Sequence, residues 1–323
     1  MNKKNQKIAI ATVLVSMVAI PLFLRSEKGL PIVAIANYGP HPTLEESING
    51  LKKELAERGF VENKTIHYEI ADVGFDHALI PQMISKLRSC NPRVMVVKST
   101  PVAQFAKGKV YDTPLVYCDI TDPVASALLK TKTQSNENIT GSSDQKDFEP
   151  LLNFAKELLP DAKTVGVLYS TSDSNDAAMV KMMKTAAARV GLSVLAVPVD
   201  QSRDIPIRIQ EFKGQADFIY VGTSGPIQPA LPAIAAESQK MGIPLFNAGD
   251  QAVREGLALA SFGVNYESVG RNAGKLVAKL LSDADIKTLA PAYPTASDHH
   301  RFVNKRLAEK FGIKIPENAK IVE

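Results

Sequence analysis

Short polar segments follow several apolar runs of the sequence and carry most of the residues that could do chemistry. In "YCDITDP" (117–123), Asp119, Thr121 and Asp122 directly follow a run of apolar residues. Comparable segments are "NYGPHPT", "STPVA", "GSSD", "STSDSN", "GTSGP" and "NAGDQ". Ser, Thr, Asn and Asp can cap the next helix, which would explain any one segment. Their recurrence after successive apolar runs favours a ligand-binding cleft.

Motifs for catalysis or metal binding do not accompany these polar segments. The sequence contains no GxxxxGK[ST] phosphate loop, no GxGxxG after a strand and no HExxH. "GTSG" (222–225) is not a GxSxG nucleophile elbow, and no histidine is placed to pair with Ser224. His299 and His300 have no acidic or cysteine neighbours at ligand spacing. We therefore expect a site that holds a ligand without transforming it, with no catalytic residue, metal or cofactor.

Composition indicates a globular protein of two lobes. The chain has 323 residues, of which 45% are hydrophobic and 22% charged, and lobes of roughly 100–200 residues fit this length. The net charge is only +4, and the basic residues form no stripe with interleaved aromatics. A nucleic-acid partner is therefore not expected.

The first 30 residues are predicted to be a targeting segment. Lys3, Lys4 and Lys7 precede the uncharged apolar run 8–24, the pattern of an export signal with its lysines on the cytoplasmic side. No small-residue cleavage site follows, and no cysteine that could carry a lipid. This favours an uncleaved membrane anchor over a cleaved signal peptide, and both remain open. Either would put the remainder in the periplasm or on the outer face of the cytoplasmic membrane.

Two cysteines are predicted to remain free. Cys90 precedes the apolar run "RVMVV", and Cys118 ends the run "TPLVYC". If both runs are parallel strands, the sulfurs lie at opposite edges of the sheet, beyond the Cα separation of about 7 Å that a disulfide tolerates. We expect two largely buried thiols.

Strand and helix patterns alternate along the chain from residue 31. "PIVAIANY" has the pattern of a strand, and "PTLEESINGLKKELAERG" that of an amphipathic helix. The same order restarts with "KTVGVLYS" and "NDAAMVKMMKTAAARVG" near residue 163. Such alternation predicts an α/β protein with two doubly wound parallel sheets. Ligands of such sheets bind beyond the carboxyl ends of the strands, where the polar segments lie.

Several segments together resemble the ABC-transporter substrate-binding family of the periplasmic-binding-protein type I superfamily, which includes tryptophan- and tyrosine-binding members. They are "HPTLEESINGLKKELAERGF", "DITDPVASALL", "NITGSSD", "LLNFAKELLPDAKTVGVLYSTSDSN", "LALASFGVNYESVGRNAGKLVAKLL" and "KRLAEKFGIKIPE". "ITDP" and "SFGVNYESVGRNAG" are the most diagnostic, and the resemblance extends over nearly all of residues 31–323.

The resemblance implies a clamshell of two lobes joined by three crossovers. Lobe one would comprise 31–143 and 249–290, and lobe two 144–248 and 291–323. A small polar ligand, an amino acid or another metabolite, would bind between the lobes and draw them together. The partner would be an ABC permease with its ATPase. Alternatives are a membrane-anchored sensor with the same clamshell and a hydrolase using Ser224.

Ligand-binding residues are carried over from the family by position, and all lie in or beside the polar segments. From lobe one and its boundary they are Tyr38, His41, Ser99, Thr100, Thr121, Asp122, Ser143 and Asp144. From lobe two they are Ser170, Thr171, Ser172, Asn175, Thr223, Ser224, Asn247 and Asp250.

One position departs from the pattern of amino-acid binders in this family. Those proteins often have an acidic residue after the strand that here reads "DFIYVG", and this chain has Ser224 there. Asp250 is our first candidate for the missing partner of a ligand ammonium, with Asp122 and Asp144 as alternatives. Asp122 could instead cap a helix at 123–130, since Pro123 suits a first helical position. With no tryptophan in the chain and Tyr38 nearly alone among expected cleft aromatics, a stacked aromatic ligand is less favoured.

Overall fold

A computed structural model describes residues 29–199, 201–223, 225 and 227–323. The first lobe is built around a five-stranded parallel sheet in the order β2-β1-β3-β4-β5. Its elements are β1 (Ile32–Asn37), α1 (Pro42–Glu57), β2 (His67–Asp72), α2 (Ile80–Ser89), β3 (Val94–Lys98), α3 (Thr100–Lys107), β4 (Leu115–Ile120) and β5 (Ile139–Ser143). Helices cover both faces, so the central strands β3 and β4 are buried along their length, as expected of a parallel sheet.

The second lobe repeats this plan with a seven-stranded sheet in the order β12-β11-β10-β9-β8-β6-β7. Its first elements are α4 (Phe148–Leu158), β6 (Thr164–Ser170), α5 (Ser174–Val190), β7 (Ser193–Val199), α6 (Ile205–Arg208), β8 (Phe218–Val221), α7 (Leu231–Met241), β9 (Leu245–Asn247), α8 (Gln251–Arg254) and β10 (Ala260–Val264). The chain then returns to lobe one as α9 (Tyr266–Leu281), and ends in lobe two with β11 (His299–Asn304), α10 (Lys305–Phe311) and β12 (Lys320–Val322).

Three crossovers join the lobes, as expected, at about residues 144–147, 265 and 293–298. The second crossover does not lie where the sequence suggested. We expected lobe one to resume at residue 249, but β10 pairs with β9 in the second sheet. The chain therefore re-enters lobe one only at α9, which packs closely on α1. A Cβ on Gly270 would lie 1.9 Å from the Ser47 carbonyl oxygen, so only glycine permits this approach.

Three local predictions differ from the structure. Residues 123–130 form consecutive turns and no helix, with the amides of Leu128 and Leu129 both bonded to the Pro123 carbonyl. The segment "IPIRIQEFKG" (205–214) has the pattern of one continuous helix, but it forms only α6 followed by a 3-10 turn at Ile209–Phe212. Strand β11 runs antiparallel to β10, because the third crossover returns the chain to the sheet from the opposite end.

Both cysteines are free, which confirms that prediction, although Cys90 is only partly buried while Cys118 is buried. The apolar run 8–24 lies outside the described residues. No helix among the described residues is both long and apolar enough to cross a bilayer.

Candidate ligand-binding site between the lobes

An inner cavity of about 30 Å³ lies where the two lobes meet. This volume suffices for water but not for an amino acid, so the lobes are closed upon one another. Lobe one lines it with Tyr38, His41, Thr43, Leu44, Phe75, Ser99, Thr100, Pro101 and Asp119. Lobe two contributes Asp173, Asn175, Thr223 and Gly225, and the crossovers contribute Asp144 and Tyr266.

Strand ends bring these side chains together, as the parallel topology requires. Tyr38 follows β1, Ser99 follows β3, and Asp173 follows β6. Ser99 has φ 70° and ψ 152°, a backbone region essentially reserved for glycine. Asp119 has φ 61° at a bulge where the pairing of β4 with β5 shifts register. Ser99 is therefore strained where it lines the cavity, whereas aspartate tolerates the left-handed angle of Asp119.

Four buried polar atoms at the cavity have no hydrogen-bond partner among the described residues. They are the hydroxyls of Tyr38 and Thr100 and one side-chain oxygen each of Asp119 and Asn175. An unpaired buried polar group costs about 1–3 kcal/mol. Because a ligand could satisfy all four, this cavity is the best-supported site in the described structure.

Two carboxylates of the cavity are paired with buried lysines. Asp119 contacts the ammonium of Lys98. Asp144 lies 3.2 Å from Lys146 Nζ and accepts a 2.9 Å hydrogen bond from the Tyr266 hydroxyl. Burial raises the pKa of Asp119, and the positive charge of Lys98 opposes that rise. Each pair is close to neutral.

The third carboxylate, Asp173, has no ion-pair partner within the described part of the chain. It is buried and caps α5 by accepting a 3.0 Å hydrogen bond from the Asn175 amide. Burial raises its pKa, opposed by that hydrogen bond and by nearby His77. Asp173 is therefore the one cavity carboxylate without a lysine partner in the described structure, and a ligand cation would favour its charged form.

His41 forms a hydrogen bond across the closed cleft. Its Nε2 lies 3.1 Å from Gln228 Oε1. Gln228 donates its amide to the Gly222 carbonyl, so Oε1 is the acceptor and His41 Nε2 must carry the proton. Nδ1 then accepts from the Thr43 amide at 3.2 Å, which caps α1. Burial lowers the pKa of His41, which suits this neutral form.

A further hydrogen bond runs from Lys146 Nζ in the first crossover to the Thr223 hydroxyl of lobe two at 3.3 Å. Since Lys146 also holds Asp144, the first crossover is tied to lobe two directly beside the cavity.

Aromatic rings form more of the cavity wall than we expected. Tyr38 and Phe75 meet edge to face with their centroids 5.4 Å apart, and the buried Tyr266 lies on the crossover side. The cavity wall thus has more aromatic surface than the sequence suggested.

Seven of the predicted residues line the inner cavity. They are Tyr38, His41, Ser99, Thr100, Asp144, Asn175 and Thr223. Thr121 does not line the cavity but contacts a residue that does, since its hydroxyl donates to Asp144 at 3.2 Å. Ser143 bonds the Ile120 carbonyl, and Ser170 bonds the Ser172 hydroxyl. Thr171 and Ser172 are exposed, and Ser224 lies outside the described residues.

Three predicted residues have local roles elsewhere. Asp122 accepts from the amides of Val124 and Ala125 at 3.0 and 2.9 Å, but these amides begin a series of turns, and the helix that Asp122 was expected to cap does not form. Asn247 accepts from the Gly249 amide and lines an outer groove that adjoins the inner cavity. Asp250 pairs with Arg254 at 3.0 Å and lines another surface cavity. Of the three acids proposed to meet an ammonium, only Asp144 lines the inner cavity.

Sequence reasoning missed eight lining residues, of which the two acids matter most. The sequence places Asp119 in a polar segment after an apolar run, but the bulge at this residue leaves no clear sequence signal that Asp119 lines the cavity. Asp173 has the sequence context of a helix cap, which it also is. Tyr266 lies in the diagnostic segment "SFGVNYESVGRNAG" and could have been found there. The described residues contain no group of His, Cys, Asp and Glu arranged to hold a metal.

The two lobes, three crossovers and closed inter-lobe cavity define a clamshell binding protein of the periplasmic type. The family model described as ABC transporter substrate binding protein matches residues 32–322, and the chain belongs to this family. It is 28% identical over 254 residues to a tyrosine-binding protein of Clostridioides difficile (strain R20291), which covers 79% of this chain and 73% of the relative.

Two solved structures of similar sequence identity differ in how well they superpose. The ABC domain in complex with L-Trp from Streptococcus pneumonia has a TM-score of 0.85 at 25% identity, covering 91% of this chain and 100% of its own. The ligand-free, open structure of a substrate-binding protein with adhesive properties from Clostridium difficile has a TM-score of 0.71 at 27% identity, covering 91% and 99%. The poorer match to the open structure agrees with the closed lobes described above.

The matched family and these relatives are substrate-binding proteins, which confirms the expectation of a binding protein rather than an enzyme. Proteins of this kind act outside the cytoplasm.

Proposed function

We propose that the protein captures an L-amino acid with an apolar or aromatic side chain between its lobes and delivers it to an ABC permease. The observation that carries this proposal is the charge of the inner cavity. Asp119 and Asp144 have lysine partners, whereas Asp173 has none among the described residues. A ligand with an ammonium group would balance Asp173, since an uncompensated buried charge is costly.

The opposite end of the ligand has a matching environment in lobe one. Thr100 begins α3, its hydroxyl is one of the unpaired atoms, and the first amides of a helix lack intrahelical partners. A carboxylate is favoured at such a position. Tyr38, Phe75 and Tyr266 would surround the side chain. The tyrosine and L-Trp named for two relatives support this class of ligand.

Binding of ligand analogues to the full chain tests the proposal. We expect saturable binding of L-tyrosine or L-tryptophan, with thermal stabilisation of about 2.7 kcal/mol at 100 times the dissociation constant. 3-(4-Hydroxyphenyl)propionate lacks only the ammonium of tyrosine and should bind at least tenfold more weakly. Tyramine lacks only the carboxylate and tests the carboxylate environment at Thr100 in the same way. Equal binding of L-tyrosine and the des-amino analogue would refute the role of Asp173. Uptake of labelled amino acid by cells lacking the protein, with and without the restored gene, tests delivery.

A membrane-anchored sensor is a second candidate, favoured by the apolar run 8–24 without an evident cleavage site. Membrane-bound protein in high salt, in cells whose amino-acid uptake does not depend on it, would support sensing over transport.

A further inference from the structure

A buried polar cluster lies beneath the inner cavity in lobe one. It consists of Lys98 at the end of β3, Asp119 in β4 and Ser47 in α1. The Lys98 and Asp119 side chains are 1% and 3% exposed. The Lys98 ammonium contacts both Asp119 Oδ2 and the Ser47 hydroxyl oxygen. The Ser47 hydroxyl lies 2.8 Å from the same Oδ2.

The two oxygens of Asp119 have different surroundings. Both contacts within the cluster reach Oδ2, whereas Oδ1 is buried without a partner in the described structure. Asp119 also lines the cavity. The bulge at Asp119 turns its side chain out of the regular alternation of β4, and bulges often re-aim side chains in this way near functional sites.

Burying a charged pair needs a reason beyond stability. Replacing a buried ion pair by apolar residues is often neutral or stabilising, so the cluster adds little to folding. Removing only one partner leaves an uncompensated buried charge and is strongly unfavourable. Lys98 thus favours the charged form of the Asp119 carboxylate at a position where burial alone would favour the neutral form.

We propose that Lys98 and Ser47 are positioning residues for ligand binding: they engage Oδ2 of Asp119 and hold Oδ1 toward the cavity as an ionised acceptor for a ligand donor. Asp119 then contacts the ligand from lobe one while Asp173 faces it from lobe two. This inference rests on the proposed function, because the donor in question is the ammonium of an amino acid.

The test compares Lys98→Met, Asp119→Asn and the double variant with the wild-type full chain, using L-tyrosine and L-tryptophan as probes. Lys98→Met should bind at least tenfold more weakly at pH 6 and recover part of the loss as the pH rises, since Asp119 must then lose its proton unaided. Asp119→Asn should lose affinity to a similar extent without that recovery. The double variant should regain the wild-type unfolding temperature without regaining affinity.

Lys52→Met is the matched control, because Lys52 lies on the outer side of α1 and pairs with Glu62. It should leave binding unchanged. A folded Lys98→Met protein with wild-type affinity and pH profile would overturn the inference while leaving the proposed function intact.

A second readout does not depend on the ligand. The carboxyl carbon of Asp119 can be titrated by NMR in the wild type and in Lys98→Met. We expect its midpoint to rise in the variant; an unchanged midpoint would overturn the inference. If the wild type binds neither probe, the proposed function fails, and this titration still decides whether Lys98 controls Asp119.

Discussion

The two lobes present different kinds of carboxylate to the inner cavity. In lobe one Asp119 is paired with Lys98 and Ser47 inside the lobe. In lobe two Asp173 is held by a backbone amide and has no lysine or arginine partner in the described structure. The electrostatics of lobe one are therefore complete before a ligand arrives, whereas those of lobe two are completed by the ligand. This difference suggests that a ligand docks first on lobe one and that its charge then draws lobe two onto it.

The surfaces of the two lobes that meet on closure also differ, because lobe one supplies fixed rings and lobe two supplies the space for them. Lobe one supplies the rings of Tyr38 and Phe75, which are fixed by their mutual contact. Lobe two supplies a loop in which Gly225 leaves room for them. A Cβ on Gly225 would lie 2.6 Å from Tyr38 and 3.1 Å from Phe75.

Of the substitutions that test the difference between the lobes, Asp173→Asn should have the largest effect on ligand affinity. Asparagine caps a helix about as well as aspartate, so α5 should fold, while a ligand ammonium would lose its counter-charge. We expect amino-acid affinity to fall roughly 30-fold or more, as for the loss of one partner of a buried charge pair. Calorimetric titration measures it. Asp147→Asn changes the corresponding cap of α4 away from the cavity and should bind normally. Affinity within a factor of about two of wild type would show that Asp173 is not the counter-charge.

Gly225→Ala should impair closure without altering lobe one. The added methyl group meets a ring that cannot easily move, and overpacking of this kind costs about 1–3 kcal/mol. We expect roughly tenfold weaker binding and a ligand-saturated protein with a larger radius of gyration than the wild type, measured by small-angle scattering. Gly222→Ala is the control in the same loop, because its Cβ would meet the flexible end of Met179 at 3.3 Å. Equal effects of the two substitutions would contradict the closure argument.

Ser99→Gly probes the strain stored in lobe one. Glycine adopts the backbone angles of Ser99 without strain, and this gain of about 1–3 kcal/mol exceeds the entropic cost of about 0.5–1 kcal/mol. We expect the free protein to be more stable by about 1 kcal/mol in denaturant unfolding, with somewhat weaker ligand binding because the edge of β3 is less fixed. A loss of stability would show that Ser99 is not strained.

The smallest predicted effect concerns charges that face each other across the outer part of the cleft. Burial raises the pKa of Glu46 in α1 to about 7. The negative charges of Asp250 in lobe two and of Glu267 add to this rise, and the positive charge of Arg254 opposes it. A raised carboxyl pKa favours the folded closed form at low pH, and this contribution is lost as the pH rises from the ordinary value towards 7.

Glu46→Gln should therefore stabilise the protein at pH 8 by a few tenths of a kcal/mol, as for other partly exposed charges, and change little at pH 4. Thermal unfolding across this pH range measures the difference. A larger gain at pH 4 than at pH 8 would reverse the assigned sign.

The sequence predicted the architecture better than it predicted the site. Apolar runs such as 164–170 and helices such as 174–190 have local patterns that survive in the fold. The segment 123–130 looked helical because Asp122 and Pro123 suit a helix start, yet the same residues also suit turns. The boundary at 249 was misplaced because only strand pairing reveals to which sheet β10 belongs.

At the site, the occurrence of polar residues after strands predicted where the cleft lies, but it did not predict what each residue does there. Asp122 and Asp173 both cap local backbone amides, and only the tertiary structure separates the one at the cavity from the one outside it. Lys98 reads as the end of an apolar strand, and its pairing with Asp119 depends on a bulge. Such long-range pairings have no local pattern to reveal them.

The closed cleft also sets how fast a ligand can bind. With His41 bonded to Gln228 across the cleft and only about 30 Å³ between the lobes, a ligand cannot enter until the lobes separate. At low concentration the observed association rate should rise in proportion to ligand. At high concentration it should level off at the rate of spontaneous opening, whatever the ligand, as expected when a conformational change precedes binding. Stopped-flow measurements with two ligands of different affinity should then reach the same plateau.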